Sequence, residues 1–166
     1  MQPRVPMASR PTSEPTGLAP RGMVRQDLNG CPWHDVKTKL REVGLRPTRQ
    51  RMALGWILFA KGDRHLTAEM LYEEATKAKV PVSLATVYNT LHQFTDVGLL
   101  REVVVEPGRS YFDTNIDDHH HFFSEPSGTL QDIPGDGVVI SGLPQPPAGS
   151  QIRRVEVIVR LGPETH

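Results

Sequence analysis

Residues 83–98 read SLATVYNTLHQFTDVG, the pattern of a single amphipathic helix. Its apolar side chains recur three or four residues apart and are predicted to be buried; they are Leu84, Val87, Leu91 and Phe94. Ser83 can cap the helix by accepting a hydrogen bond from the first turn, and Gly98 is placed to end it. The side chains that point away from the core are Ala85, Thr86, Asn89 and Gln93, with Tyr88 at the edge of this face.

Three further helices are predicted on the N-terminal side, over residues 35–43, 49–60 and 68–79, from apolar residues at helical spacing. The residues placed to bound these helices are Gly44, Thr48 and Thr67. The buried side of the middle helix is predicted to contain Met52, Trp56 and Phe59.

On the C-terminal side, residues 99–105 and 110–113 are predicted to form a β-hairpin around the Pro107-Gly108 turn. Helices followed by a hairpin in this order are typical of a winged helix-turn-helix module. In such a module the helix before the hairpin enters the major groove of DNA. Residues 83–97 are therefore predicted to be a recognition helix.

The chain has 166 residues and no net charge, with 19 basic and 19 acidic side chains that are unevenly distributed. Residues 1–30 carry a net charge of +2, residues 31–112 carry +3, and residues 113–166 carry −5. The absence of net charge would by itself argue against a nucleic-acid partner. The basic middle region, however, is compatible with one.

Basic and short polar side chains of this region predict contacts with DNA. Arg46, Arg49 and Arg51, around the start of the second helix, and Arg109, at the hairpin tip, are expected to contact phosphates. The residues of the recognition helix expected to contact DNA are Ser83, Ala85, Thr86, Tyr88 and Asn89. The alternative is an ordinary solvated helix face, but the neighbouring arginines favour DNA binding.

Composition excludes several classes of protein. No apolar run approaches the ~18 residues of a membrane span, and the N-terminus lacks the apolar stretch of a secretory signal, so a cytoplasmic protein without a membrane partner is expected. Residues 1–30 hold five prolines and are expected to form a disordered arm. A single cysteine allows no disulfide framework or cysteine zinc cage within the chain. No nucleophile or acid–base constellation supports an enzyme.

The run His119-His120-His121, predicted to lie on a loop, is the strongest candidate for ligand chemistry. Imidazoles bind iron, zinc and haem, and five carboxylates lie close in sequence: Asp113, Asp117, Asp118, Glu125 and Asp132. The alternative is a solvated polar loop. Cys31-Pro32, where the arm meets the first helix, is a second candidate, because an exposed thiolate can bind ferric haem. Its alternative is an incidental surface cysteine.

Three motifs resemble the ferric uptake regulator (Fur) family. They are residues 44–51 (GLRPTRQR), residues 66–72 (LTAEMLY) and residues 83–91 (SLATVYNTL), and the resemblance extends over about residues 35–135. Cys31-Pro32-Trp33-His34-Asp35, together with the histidine run, is similar to the iron response regulator (Irr) branch. The resemblance implies a haem-responsive transcription factor.

The same resemblance implies roles for single residues. Arg46 would enter the minor groove, and Tyr88 would meet thymine. The implied ligands of a regulatory divalent metal (Fe, Mn or Zn), which joins the DNA-binding and dimerisation domains, are His65, Asp113, His121 and Asp132. The implied haem ligands are Cys31, His119, His120 and His121. Ser124 and Ser127 stand where many relatives have a cysteine pair, so a structural zinc site is not expected.

We therefore expect an α+β fold, with a winged helix-turn-helix DNA-binding domain followed by a small α/β dimerisation domain. The expected boundaries are 1–30 for the arm, 31–113 for the DNA-binding domain and 114–166 for the dimerisation and metal- or haem-binding domain. The expected function is regulation of iron homeostasis and haem synthesis by a homodimer that binds operator DNA under iron limitation. Haem, with a haem-delivering enzyme as a candidate partner, would inactivate the protein or cause its degradation. The alternative is a Fur-type direct sensor of metal or peroxide.

Overall fold

The structure, a computed structural model, describes residues 32–164 and confirms the predicted α+β class. Its helices are α1 (Pro32–Glu42), α2 (Arg49–Phe59), α3 (Ala68–Lys77) and α4 (Leu84–Asp96). Its strands are β1 (His65–Leu66), β2 (Arg101–Glu106), β3 (Arg109–Asp113), β4 (His119–Ser124), β5 (Thr129–Pro134) and β6 (Ile158–Leu161). A short 3-10 turn follows β5 at Gly135–Gly137. The predicted arm and Cys31 lie outside the described residues.

The three predicted N-caps are confirmed. The side chains of Thr48, Thr67 and Ser83 each accept a hydrogen bond from the backbone N–H three residues later. Each bond satisfies one of the amides that a helix leaves unpaired in its first turn, an effect worth about 1 kcal/mol. The start of each of these helices is therefore encoded locally.

The helical core differs from the prediction at Trp56, which is 42% exposed. The buried residues of α2 are instead Met52, Leu54, Gly55, Ile57 and Leu58. Because α2 packs against α1, α3 and α4, it is buried on several sides, and helical periodicity alone could not show which side remains open. In α4, Val87, Leu91 and Phe94 are fully buried as predicted, while Leu84 is only partly covered.

Gly55 marks the closest approach of α1 and α2, and it supplies a test of this packing. A Cβ atom at Gly55 would lie 2.8 Å from Cγ1 of Val36, below any normal contact distance. Overpacking typically costs 1–3 kcal/mol, against about 1 kcal/mol gained in helix propensity, so Gly55→Ala is expected to lower the free energy of unfolding by roughly 1 kcal/mol. Denaturant unfolding should show a smaller cost in a Val36→Ala background. A stabilising effect in both backgrounds would contradict this packing.

The strands form two three-stranded sheets, and all of them except β1 follow the helices in sequence. In the first, with order β1-β3-β2, β2 and β3 form the predicted hairpin, called the wing below. Strand β1 was not predicted, because two residues are too few to show an alternating pattern. In the second, with order β5-β4-β6, β4 pairs antiparallel with β5 and parallel with β6.

The prediction that the histidine run lies on a loop is wrong. His119, His120 and His121 open strand β4, which is the central strand of the second sheet, and all three are buried. A run of polar residues suggested a solvated loop, but all three residues pair with β5 and their side chains are covered by the rest of the protein. The strand predicted over residues 155–159 begins later, at Ile158.

A small apolar cluster joins the wing to the second sheet. Val103, Val105 and Tyr111 of the wing pack with Phe123 of β4, and Leu130 and Ile158 cover the edge. The cluster thus packs the wing strands β2 and β3 against the second sheet. Within residues 32–164, no helix has the length and hydrophobicity to cross a membrane.

Candidate metal centre and nucleic-acid interface

Five side chains from four strands converge between the two sheets; they form the donor cluster, His65, Asp113, His119, His121 and Asp132. The register brings them together. His65 of β1 is the cross-strand partner of Asp113 of β3, and His121 of β4 is the partner of Asp132 of β5. His119 lies two residues before His121 and therefore on the same face of β4. One ligand atom from each residue lies within 4.8 Å of the others.

Asp113 lies at the centre of the cluster and is completely buried. Its Oδ2 is 2.8 Å from Nε2 of His119, 3.2 Å from Nε2 of His121 and 3.4 Å from Nε2 of His65. On the other side, Nε2 of His65 is 2.8 Å from Oδ1 of Asp132. All the nitrogen donors therefore face carboxylates from different strands.

The histidine tautomers follow from the outer ring nitrogens. Nδ1 of His119 is 2.7 Å from the carbonyl oxygen of Asp117, which can only accept a hydrogen bond, and 3.2 Å from a terminal nitrogen of Arg101, which can only donate one, so a proton on Nδ1 serves the shorter of the two contacts. Nε2 of His119 then presents a lone pair, 2.9 Å from Nε2 of His121. Two lone pairs at this distance repel each other, and a shared proton or a metal cation relieves the repulsion.

In the metal-free protein that cation is a proton. Burial opposes charge on His121, but the carboxylates of Asp113 and Glu156 outweigh burial and raise the pKa of His121 to about 9. Burial likewise opposes charge on Asp113, but His121 and His65 hold the pKa of that carboxyl well below its usual range. An imidazolium and a carboxylate thus neutralise each other inside the cluster.

These pKa shifts predict how the metal-free protein responds to pH. Because the folded pKa of His121 is raised from 6.5 to about 9, its contribution is complete below pH 6.5 and lost as pH rises through 9. The lowered pKa of Asp113 acts in the opposite direction, so its contribution is lost only in strong acid. With chelator present, urea unfolding should show up to about 3 kcal/mol less stability at pH 9.5 than at pH 6. Equal stability at both values would contradict the assigned charges.

The donor cluster fits a divalent metal. Nε2 of His65 and Oδ1 of Asp132 are buried and lie 2.8 Å apart, but their orientation is not that of a hydrogen bond, so a cation between the strands would satisfy both. Three imidazoles with two carboxylates suit Fe²⁺, Mn²⁺ or Zn²⁺. The structure brings together all four residues predicted as ligands of the regulatory metal and adds His119, a member of the histidine run that was not among those four. The sequence signal for His119 was its two-residue spacing from His121, because residues two apart lie on the same face of a strand.

The residues predicted to bind haem are not gathered on one surface. His119 and His121 face the donor cluster, whereas His120 lies on the opposite face of β4 and accepts a hydrogen bond at Nδ1 from the backbone N–H of Val157, at 3.2 Å. Cys31 lies outside the described residues. Haem binding at these positions stays a prediction.

The exposed face of α4 presents the residues predicted to read DNA. Ala85, Tyr88 and Asn89 are exposed, and Thr86 is half-buried. The Ser83 hydroxyl is engaged as the cap. The hydroxyl of Tyr88 donates to Oε1 of Glu69 on α3, at 2.6 Å, and this bond fixes the direction of the ring.

The arginines predicted to contact phosphate differ in their surroundings. Arg46 and Arg49 are exposed at and just before the start of α2. Arg109 instead folds back onto the second sheet, with its guanidinium 5.5 Å from the ring centre of Phe123. It also pairs with Glu106 at 3.3 Å. Arg109 is thus engaged by Phe123 and Glu106, although 43% of its side chain remains exposed.

Arg51, beside these residues, has a structural contact. Its guanidinium donates to the side-chain oxygen of Gln93, at 3.1 Å from Nε and 2.9 Å from the terminal nitrogen. It also donates to the carbonyl of Arg46, at 2.9 Å. Arg51, which was also expected to contact phosphate, thus ties the start of α2 to α4.

Comparison of the sequence with known proteins relates the chain to one family. Residues 42–140 match the family model described as "Ferric uptake regulator family". The peroxide-responsive repressor PerR of Staphylococcus aureus strain Mu50 is 34% identical over 94 residues, which are 57% of this chain and 63% of the relative. The PerR of Staphylococcus epidermidis is also 34% identical over 94 residues, 57% of this chain and 62% of the relative. The matches thus span less than two thirds of these relatives.

A solved structure shows the same fold. The ferric uptake regulator from Pseudomonas aeruginosa, determined with manganese, superposes with a TM-score of 0.60 at 21% identity. The superposition covers 78% of this chain and 98% of that structure. Since the family model matches more than half of the chain, this protein belongs to the ferric uptake regulator family.

Proposed function

We propose that the protein is a direct metal-responsive transcription regulator, which binds operator DNA as a homodimer under the control of a divalent metal at the donor cluster. The observation that carries the proposal is the cluster itself. His65 and Asp113 come from the sheet that contains the wing, and His119, His121 and Asp132 come from the second sheet. One ion bound by both sheets would fix the wing relative to the second sheet.

The chain's own residues account for the response. Metal binding must displace the proton that His121 holds between its neighbours, so the site exchanges one cation for another. The bound metal would supply two positive charges to balance Asp113 and Asp132, with the imidazoles neutral. Without it, the two sheets are held by the small apolar cluster around Phe123, by ion pairs across the donor cluster such as His65 with Asp132, and by contacts such as Tyr111 with Gly128.

Within this proposal, DNA is held by two sets of residues. Arg46 and Arg49 contact phosphates. The recognition helix carries Ala85, Thr86, Tyr88 and Asn89 into the major groove, with its start held by Ser83. Arg109 contributes a further phosphate contact from the wing.

A response to peroxide is a narrower form of the same function. The relatives that match at 34% identity are named peroxide-responsive repressors, which favours direct sensing over a haem response. Manganese-loaded and iron-loaded protein, each treated with hydrogen peroxide, would separate a metal sensor from a peroxide sensor. Loss of DNA binding confined to the iron form is expected for a peroxide sensor.

The haem-responsive function of the Irr branch stays a prediction from sequence resemblance. Its distinctive cysteine, Cys31, lies outside the described residues. A haem titration of wild type and Cys31→Ala tests it directly. His119, His120 and His121 are buried in β4, so a variant that replaces all three tests the stability of the fold as well as haem binding.

The proposed function is tested by the metal dependence of DNA binding. A duplex selected from a random library by manganese-loaded protein serves as the probe, and fluorescence anisotropy measures affinity as Mn²⁺ is titrated and then removed with chelator. We expect at least a tenfold gain in affinity on loading and its loss on chelation, since allosteric coupling is typically 5- to 150-fold. Equal affinity with and without metal, in protein shown to bind Mn²⁺, would contradict the proposal.

A further inference from the structure

Arg101 is a buried cation directly behind the donor cluster. Its side chain is only 5% exposed, and it lies on β2 as the cross-strand partner of Asp113. The guanidinium donates to the carbonyl oxygens of Asp117, at 3.2 Å, and His119, at 3.3 Å. The Asp117 carbonyl is the same oxygen that receives the Nδ1 proton of His119. Arg101 therefore supports the backbone that orients His119.

A buried guanidinium requires a nearby negative charge, and Glu156 provides it. Oε1 of Glu156 is 2.8 Å from a terminal nitrogen of Arg101. Glu156 lies in the segment just before β6, whose next residue, Val157, accepts a backbone hydrogen bond from His121 at 3.0 Å. The pairing of β6 with β4 thus places the Glu156 carboxylate behind the donor cluster.

The same oxygen of Glu156 faces the outer nitrogen of His121, at 3.4 Å. Nδ1 of His121 is buried and has no hydrogen-bond partner at normal distance, so Glu156 is the carboxylate placed to receive its proton. A proton kept on Nδ1 leaves the lone pair of His121 on Nε2, which points at Asp113. Second carboxylates of this kind orient metal-binding histidines and make them stronger donors.

We propose that Glu156, held by Arg101, is a positioning residue of the metal centre: it keeps His121 in the tautomer that presents Nε2 to the metal. This inference rests on the proposed function and extends it to two residues outside the donor cluster. It also assigns Arg101 a place in the link between cluster and wing. Arg101 and Asp113 are cross-strand partners in the sheet that contains the wing. The residue that holds Glu156 and one member of the donor cluster are therefore both attached to this sheet.

The test compares Glu156→Gln and Glu156→Ala with wild type, using Co²⁺ as the probe in samples shown to be folded by far-UV circular dichroism. Co²⁺ affinity is measured by competition with a chelating dye, and the visible absorption of bound Co²⁺ reports the donor strength of the imidazoles. Loss of a second carboxylate typically lowers metal affinity 10- to 100-fold. We expect Co²⁺ affinity to fall about tenfold in Glu156→Gln, whose amide oxygen can still accept a hydrogen bond, and to fall further in Glu156→Ala. The absorption band of bound Co²⁺ should shift in both variants.

Glu125→Gln is the matched control. Glu125 follows β4 and pairs with Arg160 at the surface, 3.6 Å apart, so this variant removes the same charge from outside the donor cluster. It should bind Co²⁺ like wild type with an unchanged spectrum. If Glu125→Gln loses affinity equally, the effect is one of overall charge and the inference is overturned.

The remaining outcomes separate the inference from the proposed function. Wild type that fails to bind Co²⁺ removes the metal centre itself and so overturns both. Wild type that binds, beside a folded Glu156→Gln variant with the same affinity and spectrum, overturns the role of Glu156 alone. Should Glu156→Ala fail to fold, the Gln variant, which keeps the size of the side chain, decides the matter.

Discussion

Replacing His121 with alanine is expected to remove the stabilisation that the protein gains from a divalent metal. His121 is completely buried and contributes one of three imidazoles to the cluster. In wild type, a metal concentration 100 times the Kd should raise the free energy of unfolding by about 2.7 kcal/mol. In His121→Ala we expect a gain near zero at the same concentration, because affinity should fall at least 100-fold.

The measurement is urea unfolding with excess Zn²⁺ and with chelator, for each protein. The difference between the two conditions is compared, since loss of His121 also leaves the buried Asp113 without a partner and lowers the stability of the metal-free form. His92→Ala is the control, because His92 is exposed on α4, where it stacks on Tyr88. A full metal-dependent gain in His121→Ala would place the metal elsewhere.

Removing Arg46 and Arg49 together is expected to weaken DNA binding strongly and to make it less sensitive to salt. Each arginine that neutralises a phosphate releases about one counterion, so the slope of log affinity against log salt should fall by about one per residue. We expect a loss of roughly 10- to 100-fold near 100 mM salt. The measurement is anisotropy with the selected duplex over a range of salt concentrations.

Two further variants serve as controls for this prediction. Lys77→Ala removes a charge that Glu73 already neutralises at 2.8 Å, so affinity and slope should stay unchanged. Tyr88→Ala should alter the sequence preference and leave the slope near that of wild type, because we propose that its ring contacts bases and not phosphates. An Arg46→Ala, Arg49→Ala double variant that matches wild type in slope would rule out these residues as phosphate contacts.

Much of the helical unit was predictable because its signals are local. The caps at Thr48, Thr67 and Ser83 bond to amides only three residues away, and the turn at Gly108 needs the positive φ of 79° that glycine adopts readily. The recognition helix follows from its own periodicity. These features involve contacts within a few residues, which is the range over which a sequence pattern carries structural information.

The metal centre was predictable only in part. Family resemblance implied four of its residues, but residue type and spacing alone could not join His65 to Asp132. Those two lie on strands in different sheets, and they meet only because β1 pairs with β3 while β4 pairs with β5. A shift of one residue in β4 would turn His119 and His121 away from the cluster and bring His120 into it.

The sequence by itself determined the helices, their caps and the wing, because each arises from short-range hydrogen bonds and from the periodicity of apolar residues. Only the tertiary structure decided which face of α2 is covered, that the histidine run is a buried strand, and that Arg109 lies on Phe123. It also brought Glu156 to Arg101 and His121, across 55 and 35 residues of chain, respectively. Such contacts depend on strand register and parallel pairing between distant segments, and local sequence patterns contain no signal for either.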